Sequence, residues 1–207
     1  MTERIGGRTW AAWLLAALII LAPVGRTWAE DPIAAGTTDV GLGGAISVSH
    51  GTRDGHNTRD DYDTVTGLQL LPHVGYVVSD AMGPGWLRGN LEVLIEPTLL
   101  YLKEDAQSAT IGGASGLVRW IFSGTRRLRP YLEAGGGVLV GETHFRQTDC
   151  AVNFLLQGGP GLLVFLSDTT ALTVEYRFQH ISNAGACSFN VGINSSALYL
   201  GVSYLFR

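Results

Sequence analysis

Beyond residue 30 the sequence has no stretch both long and apolar enough to cross a membrane as a helix. Apolar residues recurring at helical spacing are scarce, which argues against a helical bundle or a helix-covered sheet. No basic run appears, and no glycine-rich turn stands between a strand and a helix, so nucleic acid is excluded as a partner and no nucleotide site is indicated. His50, His56, His73 and His144 lack the spacing of metal ligands, so neither a metal nor a cofactor is expected. Cysteine is confined to Cys150 and Cys187.

The N-terminus does hold one apolar run. Arg4 and Arg8 precede Trp10 to Val24, and "TWA" then places small residues at Thr27 and Ala29. That run is shorter than the roughly 20 residues of a spanning helix and ends at a cleavage-type site, so residues 1–29 read as a cleaved signal peptide. Losing Arg4, Arg8, Arg26 and Glu3 takes the formal charge from −4 to −6. Residues 30–207 are enough for one domain, and an exported chain meets an oxidising compartment where two cysteines can pair.

What the chain has in abundance is glycine, at 28 residues, and period-two alternation. In "LTVEYRFQHIS", Leu172, Val174, Tyr176 and Phe178 share one face, opposite Thr173, Glu175, Arg177 and Gln179. "NLEVLIEPTLLY", "GLQLLPHVGYVV" and "NSSALYLGVSYLF" repeat the habit, with Glu92, Glu96, Gln69, His73 and glycines opposite the apolar residues. Apolar residues facing out and glycine with ionisable residues facing in is the pattern of a transmembrane β-barrel. The fold expected is therefore all-β, an eight-stranded antiparallel barrel in the outer membrane. Its strands are placed at 39–50, 64–79, 87–101, 110–122, 129–142, 153–166, 171–182 and 193–206. Glu92, Glu96, Glu133, Glu175, Arg119 and Arg177 would pair inside a filled lumen.

The breaks alternate in length, as an even-stranded barrel with both ends in the periplasm requires. "AMGPGW", "SGTRRL" and "SDTT" make short inner turns; "GTRDGHNTRDDYD", "KEDAQSA", "ETHFRQTDCAV" and "NAGACSFNVG" make longer outer loops. His180 and Ser182 in "HISNAG" then lie at the outer end of strand seven, on its lipid face by parity. Asn194 lies on the corresponding face of the last strand. Polar side chains are disfavoured on such a wall unless they have a function or stand at headgroup level. A base, a hydroxyl and an amide gathered there suit ester hydrolysis on a substrate that lies in the outer leaflet.

At "FQHISNAG", the "GINS" that follows and the closing "LGVSYLF", the chain resembles the outer-membrane lipid A 3-O-deacylases, the acyloxyacyl hydrolase family of eight-stranded barrels. The resemblance implies His180 as base and Ser182 as nucleophile, with Asn183 and Gly185 helping to form the oxyanion hole. It also implies lipid A, or lipopolysaccharide, as substrate, losing the hydroxyacyl chain esterified at position 3. The family pattern places a Glu fourteen residues after the His, where this chain has Asn194; an amide can orient an imidazole but supplies no negative charge. Cys150 and Cys187 fall in neighbouring outer loops, so a disulfide between them is expected to tether the loop that carries Asn183 and Gly185. A non-catalytic structural or adhesive barrel is the competing reading, and a homodimer is compatible with the sequence.

Overall fold

The computed structural model describes residues 31–50, 64–145, 147–188 and 190–207; residues 1–29 and His56 lie outside them. Eight long strands close into one antiparallel barrel. They are β1 (Thr38–Ser49), β2 (Thr66–Val77), β3 (Gly89–Glu104), β4 (Gln107–Phe122), β5 (Leu128–Val140), β8 (Val152–Phe165), β9 (Thr170–Ser182) and β10 (Ile193–Phe206). Two short strands, β6 (His144–Phe145) and β7 (Thr148–Asp149), form a hairpin inside the third outer loop, where the sequence pattern shows only a polar loop. Closure is made by β1 against β10, in register from Thr38↔Phe206 to Ser49↔Ser195.

Burial along each strand alternates with the period of the sequence, but inverted relative to a soluble protein. Leu68 is 60% exposed and Ile95 65%, while Gln69 and Glu96 beside them are 4% and 1% exposed. A wall that turns its leucines outward and its carboxylates inward has hydrocarbon as its outer solvent, and closure leaves no unpaired strand edge in lipid. The chain is an outer-membrane β-barrel. Trp86, Tyr76, Tyr204 and Phe206 stand exposed near the periplasmic rim, where interfacial aromatics are common.

The lumen is filled in three layers. At the outer end Leu100, Leu102, Ile111, Leu139, Leu155 and Ile181 form an apolar cluster with Phe145 of the third loop. At the periplasmic end Ile33 folds into a second cluster with Val77, Ile121, Tyr131, Leu163 and Leu205. Between them lies the charged layer. Arg119 donates to Glu133 at 2.8 Å and Glu92 at 3.1 Å; Arg177 donates to Glu175 at 2.8 Å and Glu96 at 2.6 Å. Tyr131 and Tyr199 lie against the two guanidinium groups, 4.5 and 4.8 Å from the ring centres.

One connection departs from its reading as a longer loop. β3 and β4 keep pairing to Glu104↔Gln107, so "KEDAQSA" is a hairpin tip in which only Asp105 and Ala106 lie between the strands. Asp105 takes φ +46°, as a tight hairpin turn requires. The alternation simply continues past the membrane, because Leu102, Ala109 and Ile111 are still burying themselves in the outer apolar cluster.

Candidate active site

β9 climbs from the periplasmic turn to the outer rim, so its last outward residues, Phe178, His180 and Ser182, stand one above another. β10 descends beside it in the register Asn194↔His180 and Ser196↔Phe178. Direct cross-strand partners on one face are close enough for side-chain contact. His180 Nδ1 and Asn194 Oδ1 are 2.7 Å apart. An amide oxygen can only accept, so Nδ1–H donates and Nε2 is left with its lone pair. That is the tautomer a general base needs.

The other edge of the ring is positioned by a residue that the sequence reading passed over. Extending the β9–β10 register by one step sets Gly192 opposite Ser182. A Cβ on Gly192 would fall 2.8 Å from His180 Cε1 and 3.5 Å from Nε2. The imidazole therefore leans over Gly192, toward the row of Ser182, in space that only glycine leaves open. The Gly192 φ of +80° also favours glycine. Ser182 is half-buried, and its hydroxyl has no hydrogen-bond partner among the described residues.

Asn183 is placed differently from its neighbour. One residue past Ser182 the alternation turns inward, and Asn183 is fully buried. Its backbone N–H donates to Asn190 Oδ1 at 2.8 Å, and its own Oδ1 accepts from the Gly185 N–H at 2.9 Å. The backbone N–H groups of both Asn183 and Gly185 are thus engaged within the fourth outer loop. That loop is braced by the third: Gly192 N–H donates to Gln147 O at 3.0 Å, and Thr148 bridges to Asn190. Cys150 and Cys187 are joined by an S–S bond of 2.05 Å across the same contact.

The remaining histidines serve elsewhere. His73 is buried in the lumen, with Nε2 3.3 Å from Asp39 and from Ser203 Oγ. His144 is exposed on β6, with Nδ1 3.0 Å from Asp149. His50, just past β1, has Nε2 2.9 Å from Ser196 Oγ on the lipid wall.

No curated protein matches the sequence significantly. Among solved structures, the outer membrane enzyme PagL superposes with a TM-score of 0.53 at 20% identity, covering 79% of this chain and 97% of PagL. Neisserial surface protein A (NspA) superposes with a TM-score of 0.59 at 16% identity, covering 83% of this chain and 99% of NspA. At such identities these likenesses speak for the barrel alone. The sequence profile of "Lipid A 3-O-deacylase (PagL)" matches residues 28–203, nearly the whole barrel together with the site strands. This chain belongs to the lipid A 3-O-deacylase (PagL) family.

Proposed function

We propose that the protein is a serine esterase that removes the 3-O-linked hydroxyacyl chain from lipid A in the outer leaflet, after export directed by residues 1–29. The observation that carries this reading is the His180–Asn194 pair, an oriented base on a lipid-facing wall with the Ser182 hydroxyl two residues further along the same face. Ser182 Oγ attacks the ester carbonyl carbon while His180 Nε2 takes its proton. The tetrahedral intermediate collapses with cleavage of the carbonyl C–O bond, and His180 returns the proton to the departing sugar hydroxyl. Water, deprotonated by His180, then attacks the Ser182 ester, and the fatty acid leaves with the serine restored.

Oxyanion donation is assigned to Asn183 and Gly185. A developing oxyanion accepts more strongly than an amide oxygen. It would draw the Gly185 N–H away from Asn183 Oδ1, in a turn whose neighbours the disulfide holds in place. The membrane substitutes for a deep pocket, since it presents the ester at the wall and excludes bulk water.

A long-chain alkyl fluorophosphonate tests the nucleophile. Incubated with the mature protein in detergent, it is expected to add its mass to the peptide containing Ser182. Asn194→Ala is expected to slow this capture clearly, and Asn194→Glu to keep or raise its rate, because either orienting group holds Nδ1–H. Labelling of another serine would reassign the site; an unchanged rate in Asn194→Ala would remove Asn194 from it.

Gly192→Ala is expected to push the imidazole off its line to Ser182 and to lower ester turnover by on the order of a hundredfold, the scale of a misplacement of about 1 Å. Gly36→Ala is the control for backbone strain. Gly36 has φ +92°, and the nearest atom to an added Cβ is 4.0 Å away. Equal turnover in Gly192→Ala and Gly36→Ala would remove the positioning role.

A further inference from the structure

A second polar cluster stands on the lipid-facing wall: Ser196 and Tyr176 lie periplasmic to His180 and Asn194, and His50, beside Asn194 on the next strand, turns its ring down to them. His50 Nε2 lies 2.9 Å from Ser196 Oγ, and Tyr176 OH lies 2.7 Å from the same oxygen. The three residues come from the position just past β1, from β10 and from β9, and the His50 ring stacks on Phe178 at 6.3 Å and 17°. Ser196 is two residues below Asn194 on one strand, and Phe178 is two below His180 on the next. The cluster therefore continues the proposed site in the direction that acyl chains take into the leaflet. Its surroundings are apolar: Val48 and Leu198, the neighbours of Ser196 on this face, are 50% and 56% exposed.

Three polar side chains at such a place carry a desolvation cost that their mutual hydrogen bonds only partly offset. In either tautomer, one nitrogen of His50, Nδ1, has no partner among the described residues, and the Tyr176 hydroxyl keeps capacity for one more bond. The cluster is not a second nucleophilic centre. Ser196 sits within the ladder, where backbone N–H groups are taken by β1 and β9, so none is free to stabilise an oxyanion. Its position decides what it can touch. The Ser196 row is two rows below that of Ser182, about 13 Å along the strand. A hydroxyl on the chain being cleaved stays within a few bonds of the scissile carbonyl, too near Ser182 to reach it.

We propose that His50, Ser196 and Tyr176 form a binding subsite for an oxygen carried on a neighbouring acyl chain of the same lipid, either a hydroxyl or the ester oxygen of a secondary acyl branch. The proposal rests on the lipid A reading above and adds a residue-level basis for choosing among acylation patterns. The lipid that seats such an oxygen on the trio is held with its scissile ester beside Ser182.

The test reads binding rather than turnover, in the mature protein carrying Ser182→Ala so that no lipid is consumed. Native mass spectrometry from detergent micelles would compare three synthetic monosaccharide lipid A analogues whose second chain is plain, hydroxylated or acyloxylated. With the trio intact, at least one oxygenated analogue is expected to be retained about three- to tenfold more tightly than the plain one, the worth of one net hydrogen bond. The advantage is expected to vanish in Tyr176→Phe or Ser196→Ala, both of which insert normally because each only makes a lipid-facing position more apolar. A gain for one oxygenated analogue alone identifies the hydroxyl or the ester as the group bound. Equal retention of all three analogues, or an advantage that survives in both variants, overturns the proposal. A preference that persists alongside wild-type protein unable to hydrolyse any analogue would defeat the esterase reading and leave the subsite standing.

Discussion

Ser182→Ala is expected to fold and insert as the wild type does, and to lose ester turnover by about three to six orders of magnitude. The fold should survive because Ser182 is half-buried and its hydroxyl is bonded to nothing among the described residues, so removing it leaves no buried partner unsatisfied. By the proposed mechanism the chemistry does not survive, because the remaining wall keeps an oriented base with no hydroxyl to activate. Residues that act as a unit are non-additive when removed. His180→Ala and the double variant should therefore fall to nearly the same residual rate as Ser182→Ala, which turnover of a short-chain ester in detergent would show. Losses that add as independent factors would mean the two side chains do not work together.

The second large effect belongs to the lumen. Arg177 holds Glu96 through two nitrogens at 2.6 and 3.1 Å, Glu175 at 2.8 Å and Glu133 at 2.9 Å, with side chains 1% exposed or less. Replacing it by methionine removes the cation but keeps most of the volume. Three carboxylates then face each other, and only Glu133 keeps Arg119 beside it. Stripping one partner from a buried pair costs about 3–5 kcal/mol. Arg177→Met is expected to refold poorly in detergent, with a lower urea midpoint and loss of the unboiled compact band on a gel. Adding Glu96→Gln should recover part of the loss, since the two changes share a contact. An unchanged midpoint in the single variant would show that the charged layer contributes little.

The lipid-facing wall and the site strands are not equally legible in the sequence. The wall was plain, because a residue such as Leu68 or Ile95 alternates strictly with a polar neighbour, and a one-residue slip would put carboxylates into lipid. His180, Ser182 and Asn194 could be placed for the same reason, parity along two consecutive strands. Asn183 belongs to the same motif but to the opposite face. Its side chain points inward by that parity, and in the folded protein it anchors the loop through Asn190 and Gly185.

Gly192 was invisible, since its importance depends on the direction in which the His180 ring leans rather than on any pattern. The His50–Ser196 contact was equally hidden, because it joins residues 146 positions apart and exists only once β1 closes on β10. Loop lengths misled at "KEDAQSA", where polar composition suggested a loop but inward Leu102 and Ile111 kept the strands paired.

The reaction proposed for this wall is removal of an acyl chain from lipid A through Ser182. The most direct measurement is the mass of lipid A after incubation with the purified mature protein in detergent micelles, beside the same incubation with Ser182→Ala. Wild type is expected to lower the lipid mass by one hydroxyacyl group, with the matching free fatty acid appearing, and Ser182→Ala to leave the lipid intact. The same loss with both proteins, or no loss with either, would contradict the proposed reaction.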